Sequence, residues 1–372
     1  MTWRVYDYFC GIGGYTAGAI AALGEAVYEG VDAEKDVLGL FGDNVRSHAP
    51  TGTTCTTRLA EIGRDVLEMP KEDDRLICHF SPPCTAFSTA RRASPPTPEE
   101  LEEAVRLVRW SMDAVVHEGY ARWSLENVPT DAVTCILREY KNAHPSRIDF
   151  GTFDANLYGC ASDRRRLIAG PPALIRRLGE LAVPKVGVRD AFEAAGWALP
   201  SDFISNGNKN GGKLKQRGVN ESAHTVTASH SLVFCDGAGR PVRCTKPAES
   251  AVLVGFPTSW RLPQGSKAAQ RAAGNAISPC LSKVIVRVLL ETPIGPTPLP
   301  STSGGDGGSR TELEELRATC AKMRAELDEL RPDVQGLWAE MRAQKRKLDA
   351  LCASGAIWKS PGSTLLKRKL SQ

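Results

Sequence analysis

The sequence predicts an α/β domain with a mostly parallel sheet, then a small second region, then a C-terminal coiled coil. Three observations carry this. Short apolar runs alternate with helical patterns through the first half of the chain. From about residue 171 to 245 that alternation weakens and Gly, Asn and Lys rise. Beyond a Pro/Gly/Ser/Thr-rich stretch, apolar residues return at alternating spacings of three and four. At 372 residues, 42% hydrophobic and 24% charged, the chain can bury a sizeable core in two or three domains of about 150 residues each.

The elements follow in order. Val5 to Phe9 reads as a strand, Thr16 to Leu23 as a helix start, Ala26 to Val31 as a second strand, and Lys35 to Gly42 as a helix. Leu76 to Phe80 is an apolar run of strand length. Leu101, Val105, Val108, Met112 and Val116 recur at helical spacing and predict a long amphipathic helix. Trp123 to Leu125 is a further strand, and helical patterns return between Ala248 and Leu290. In such sheets ligands gather beyond the carboxyl ends of the strands. The stretch from Thr292 to Arg310 cannot bury a core and reads as a linker. After it, Leu313, Cys320, Leu327, Val334, Met341 and Leu348 lie seven apart, with Leu316, Met323, Leu330, Leu337 and Leu351 as the companion row. Pro332 interrupts this heptad pattern, so the coil is either kinked there or folded as a hairpin.

Composition excludes several classes. No apolar run approaches the roughly 20 residues of a membrane span, and the start of the chain reads as a strand rather than a signal peptide. Eleven cysteines include no Cys-x-x-Cys pair, and the length does not suit a disulfide scaffold, which points to reduced thiols in a cytoplasmic or nuclear compartment. His224, His230 and Cys235 lack zinc spacing, so no metal site is expected. The net charge of +4 says little. More telling are Lys209, Lys213, Lys215 and Arg217, without an acid among them, in a Gly/Asn-rich segment that reads as a basic loop suited to phosphate contact or as a solvated surface.

Five segments carry chemistry. Asp7-Tyr8-Phe9-Cys10-Gly11-Ile12-Gly13-Gly14 sits at the first strand–helix junction, where glycines admit a nucleotide-like ligand to a helix N-terminus. Asp32 at the end of the second strand can bind ribose hydroxyls, and Asp65 can meet an adenine amino group; either acid can instead be a helix cap. Pro82-Pro83-Cys84-Thr85 displays a thiol on a stiff loop just past a strand, a candidate nucleophile. Glu126-Asn127-Val128 places an acid at a strand end, able to grip a ring nitrogen and an exocyclic amine together. Arg164 and Arg166, at alternate positions, share one face if the segment is a strand, or belong to a solvated edge. Gly274-Asn275-Ala276 follows Gly255-Phe256-Pro257.

Taken together and in this order, the segments from about Val5 to Leu290 resemble the cytosine-C5 DNA methyltransferase family. The resemblance implies a Rossmann-like, S-adenosylmethionine-dependent methyltransferase fold with a small target-recognition subdomain. It implies catalytic residues Cys84, Glu126, Arg164 and Arg166: Cys84, with a lowered pKa, attacks C6 of a cytosine flipped out of double-stranded DNA. C5 then accepts the methyl group, and loss of its proton expels Cys84. Glu126 would hold N3 and the exocyclic amine, Arg166 would contact O2, and Arg164 would support the Cys84 loop. S-adenosyl-L-methionine would lie against Phe9, Gly11, Gly13 and Gly14, with Asp32, Asp65 and Asn275 as partners.

The implied organisation is a catalytic domain over 1–170, a target-recognition region over 171–245, and a return to the catalytic domain over 246–291. A linker over 292–312, a coiled coil over 313–352 that would make a homodimer, and a basic tail over 353–372 complete it. The chain departs from the family pattern at three places. Thr85 stands where glutamine is usual, Ala161-Ser162 replace Pro-Gln, and Gly30 holds the usual acidic position, leaving Asp32 or Glu29 as its substitute. Competing readings are a tRNA cytosine methyltransferase, whose usual Cys-Phe-Thr is not found, and an inactive methyltransferase-like scaffold; a nicotinamide oxidoreductase has only the Gly11–Gly14 segment behind it.

Overall fold

A computed structural model describes residues 2–87, 95–181, 183–210 and 213–291. The predicted linker, coiled coil and basic tail lie outside the described residues. So does Ser88 of the Cys84 segment.

The large sheet is built on β1 (Arg4–Tyr8), β2 (Val27–Asp32), β3 (Thr54–Leu59), β4 (Leu76–Phe80), β5 (Trp123–Asn127), β6 (Asp149–Asp154) and β7 (Arg165–Gly170). Its order is β3-β2-β1-β4-β5-β7-β6. The first five are parallel, and β7 runs antiparallel to both β5 and β6. β4 and β5 are buried at every position, as suits central strands covered on both faces. β3, rich in threonine and largely exposed, closes one edge. β7 is therefore an interior strand, which rules out the solvated edge as the home of Arg166.

Helices α1 (Gly14–Leu23), α2 (Lys35–His48), α3 (Pro98–Glu118), α4 (Asp131–Ala143) and α5 (Pro172–Glu180) cover the sheet. α3 starts at a capping box in which Glu100 N–H donates to Thr97 Oγ1 and Thr97 N–H donates to Glu100 Oε2. It stops at Gly119 in the left-handed region, φ 74°. Its buried stripe is Ala104, Leu107, Val108, Ser111, Met112 and Val115. The stripe expected from sequence is thus rotated: Leu101 is exposed and Val105 and Val116 are only half-buried. α5 falls inside the region assigned from sequence to target recognition. Its Leu174, Ile175 and Leu178 nevertheless pack into the core of the large sheet, so that boundary moves beyond residue 181.

The segment expected to be irregular holds a four-stranded antiparallel sheet. β8 (Phe203–Asn210), β9 (Lys213–Gly218), β10 (Val233–Cys235) and β11 (Pro241–Cys244) lie in the order β11-β10-β8-β9. The basic loop is thus a β8–β9 hairpin. A third core joins this sheet to α6 (Val188–Ala194) and α7 (Pro247–Val254) through Val188, Phe192, Ile204, Phe234, Leu253 and Val254. The chain then returns through α8 (Ser266–Asn275) and α9 (Pro279–Glu291). The stretch Ser266–Glu291 is long and apolar enough to cross a membrane by composition. It is two helices interrupted at residues 276–278, and α9 buries Leu281, Ile285, Val286 and Leu289 in the large core.

Candidate active site

A cleft of about 2030 Å³ opens at the carboxyl ends of β1, β2, β4 and β5, between the large sheet and α8. Pockets for one small molecule run to roughly 300–1,000 Å³, so this cleft has room for two reactants.

One arm is the segment after β1. Gly11 and Gly13 adopt positive φ, 52° and 87°, and Phe9 does so without being glycine, at 59°. This backbone turns sharply into α1. A Cβ on Gly14 would lie 2.4 Å from the Ile277 carbonyl oxygen, so only glycine lets the loop meet the segment after α8. Trp260 Nε1 donates to Ile12 O at 2.9 Å and pins the loop from the other side. Asp32 accepts from Gly11 N–H at 2.9 Å and from Glu34 N–H at 3.1 Å while facing the cleft. Phe9, Gly11, Gly14, Asp32 and Asn275 all line it. Gly13 does not; its place is under Phe41 and Trp260, 3.1 and 3.2 Å from where its Cβ would be.

The two candidates left open for a ribose acid separate cleanly. Glu29 forms an ion pair with Arg58 at 2.7 Å, away from the cleft, whereas Asp32 is on its wall. The glycine at position 30 has its own reason, since any Cβ there would meet the Phe41 ring at 2.6 Å. Asp65 is a correction: its carboxylate accepts from Glu61 N–H at 2.6 Å and does not line the cleft. Glu61 and Ile62 do, four and three residues earlier, and sequence reasoning missed both. A glycine-floored arm with an apolar ring, Ile62 and a carboxylate fits a nucleoside: close backbone approach, an apolar face and an acceptor for ribose hydroxyls.

The second arm is the loop after β4. Pro82, Pro83, Cys84 and Thr85 line the cleft, with Cys84 half-buried. Asn127 Nδ2 donates to Pro82 O at 3.0 Å, and Phe87 N–H to Cys84 O at 3.0 Å, which fixes the loop. Lost hydration raises the Cys84 pKa, and the Glu126 charge adds to that; Arg166 and Arg164 only partly offset it. The expected lowering is therefore not found, and Cys84 rests as a thiol.

Glu126 and Arg166 are both buried, and Arg166 Nε lies 2.6 Å from Glu126 Oε1. Arg166 Nε makes no well-aligned hydrogen bond, so this contact is an ion pair by charge and proximity. Arg164 is fully buried and just precedes β7. Its guanidinium donates to Val226 O at 3.1 Å, to Gly274 O at 2.8 Å, and to Ala276 O. It thus clamps both neighbours of Asn275, and among the described residues its hydrogen bonds go to these carbonyls and not to residues 82–87 of the Cys84 loop. Burial, then Arg166, lower its pKa to about 9, with Glu126 acting against them.

On the small sheet, Arg217 forms an ion pair with Asp163 at 2.6 Å, and Asp163 also accepts from Ser222 and Asn156. Arg217 is therefore a structural cation, not the phosphate contact its sequence suggested. Lys215 beside it is exposed.

No family model and no curated protein matches the chain. Solved structures do. An E. coli prophage protein assigned as a DNA modification methyltransferase is 17% identical, with TM-score 0.53, covering 78% of this chain and 99% of that one. The Dnmt2 methyltransferase of S. pombe is 16% identical, with TM-score 0.52, covering 78% and 98%. The Entamoeba histolytica methyltransferase EhMeth is 12% identical, with TM-score 0.51, over the same shares. At these identities the likeness is one of fold alone: the chain shares the fold of these three proteins.

Proposed function

We propose that the chain is an S-adenosylmethionine-dependent cytosine-C5 methyltransferase acting on double-stranded DNA. The observation that carries this is the placement of Cys84 beside the buried Glu126–Arg166 pair, in a cleft whose other arm suits a nucleoside. S-adenosylmethionine, when bound, supplies an electrophilic methyl group. The residues to hold it are Phe9, Gly11, Gly14, Asp32, Ile62 and Asn275.

Cys84 gives its proton to water, and Sγ bonds to C6 of the flipped cytosine. The ring's electron pair moves toward C5, and negative charge develops on the ring. Glu126 orients the base through N3 and the exocyclic amine, and Arg166, positioned by Glu126, stabilises charge at O2. On base binding the exocyclic amine donates to Glu126 and a proton is shared between Glu126 and N3, which weakens the hold of the carboxylate charge on the nearby thiol. Once C5 carries the methyl group, its proton passes to water, the C5–H electron pair re-forms the C5–C6 double bond, and the S–C6 pair leaves with sulfur, which restores Cys84. Arg164 takes no part in bond making; it positions the Asn275 segment. The exposed Lys215 on the β8–β9 hairpin supports a phosphate contact.

The test is transfer of labelled methyl from S-adenosylmethionine to duplex DNA, with tRNA and a Cys84→Ala variant alongside. Labelling of DNA that vanishes in the variant is the expected result. Labelling of tRNA alone moves the substrate to RNA. No labelling of either by folded protein sinks the enzyme reading.

A further inference from the structure

His79 is a buried titratable group that the proposed reaction does not use. It sits on β4, between the arms of the cleft, and is wholly shielded from solvent. Its ring stacks on Tyr15 with centroids 3.7 Å apart. Both ring nitrogens are engaged: Nδ1 is 2.8 Å from Ser124 Oγ and Nε2 is 2.7 Å from Ser81 Oγ. Ser81 in turn lines the cleft. Its N–H donates to Tyr8 O at 3.1 Å, which ties the start of the Cys84 loop to the strand leading into Phe9. Ser81 is therefore at the seam of the two arms.

The direction of the hydrogen bonds follows from the ring. Burial drives its pKa down to about 3, so the imidazole is neutral and carries one N–H and one lone pair. The Ser124 backbone works the other way, favouring a proton on the ring, and Nδ1 is the nitrogen on the Ser124 side. We assign the proton to Nδ1. Nε2 then accepts from the Ser81 hydroxyl, and Ser81 Oγ has only lone pairs left for the cleft. Such an oxygen repels an anionic or acceptor group and suits an electropositive one.

We propose that Ser81, held as a fixed acceptor by His79, recognises the positive end of the methyl donor. Ser81 is then a donor-binding residue and His79 a positioning residue that touches no ligand. This inference rests on the reading of the cleft as an S-adenosylmethionine site. The donor has two electropositive groups, the sulfonium with its methyl and the α-ammonium. Its demethylated product keeps only the second.

The experiment is calorimetric titration of the full chain, without nucleic acid, with S-adenosylmethionine and with S-adenosylhomocysteine. Wild type is compared with Ser81→Ala and with His79→Phe, which keeps a ring against Tyr15 but cannot accept the serine proton. A hydrogen bond to a charged group predicts that each variant binds S-adenosylmethionine about tenfold or more weakly. If S-adenosylhomocysteine is unaffected, Ser81 meets the sulfonium; if both weaken alike, it meets the ammonium. Either result supports the inference. Undiminished S-adenosylmethionine binding by folded Ser81→Ala overturns it and leaves the proposed function standing. Wild type that binds neither nucleoside overturns the inference together with the function. Should His79→Phe fail to fold, Ser81→Ala decides alone.

Discussion

Asp7 offers a sharp test of how the cleft floor is built. Its side chain is buried at the carboxyl end of β1, with Oδ2 accepting from the Thr16 hydroxyl at 2.7 Å. No cation is among the influences on its pKa. Burial therefore pushes its carboxyl up from 3.8 to about 8; the Thr16 side chain and backbone pull it down, and Asp32 adds a small upward push. Below about pH 4 the folded and unfolded chains both hold the proton, and the contribution of Asp7 to stability is fully present. As pH rises, the unfolded chain releases that proton first, so unfolding is increasingly favoured until the folded carboxyl also ionises near its pKa of about 8. At about 1.4 kcal/mol per pH unit, the loss across this window is on the order of 5 kcal/mol. Asp7→Asn cannot ionise, and its carbonyl oxygen can still accept from Thr16. Urea unfolding of both proteins at pH 5, 6.5 and 8 isolates the effect, because every other titrating group is common to the two. The variant should gain on wild type by roughly 1 kcal/mol per pH unit. A difference that stays constant with pH refutes the reasoning, since it reports only how the amide fits.

Three further outcomes follow from the same geometry. Glu126 helps to hold the Cys84 thiol protonated, so Glu126→Gln should speed alkylation of Cys84 by iodoacetamide several-fold at pH 8 while abolishing methyl transfer; peptide mass spectrometry reads the first. Arg164→Met leaves Val226, Gly274 and Ala276 carbonyls without their donor. It should cost about 3 kcal/mol or more in urea unfolding and weaken S-adenosylmethionine binding in calorimetry. Asp32→Asn should weaken the same binding by about tenfold, whereas Glu29→Gln, bound to Arg58 away from the cleft, should leave it unchanged.

The large sheet was legible wherever burial speaks through composition. β4 carries the bounds expected of its apolar run because every one of its residues is enclosed. The hairpin β8–β9 was not legible as strand. Its Gly, Asn and Lys residues have little intrinsic strand preference, and the pairing of β8 with both β9 and β10 makes the strands. α3 was read as a helix but with its stripe turned, because Leu101 has the right spacing yet is exposed, and Val105 and Val116 meet the core only at its margin. The reversal of β7 leaves no trace in an apolar run, which looks the same in either direction.

The acids show where sequence stops. Glu29, Asp32 and Asp65 all lie on or after the strands that border the cleft, and each could be a ligand or a brace. Counting their internal bonds does not separate them. Asp32, the one on the cleft wall, takes two backbone amides, and Asp65, off it, takes one. A carboxylate has about four lone-pair sites, so bracing Gly11 leaves Asp32 free to meet a ribose as well. The same double use holds for Ser81, which a sequence shows only as a small residue before two prolines. Its meaning comes from His79 behind it, two residues earlier on β4, and from Ser124 on the neighbouring strand. Motif spacing identifies the groups that touch a reactant. The groups that aim them are set by which strands are neighbours, and β4 lies between β1 and β5. That arrangement places an uncharged imidazole beneath both arms of the cleft, where a charged residue would disturb the thiol.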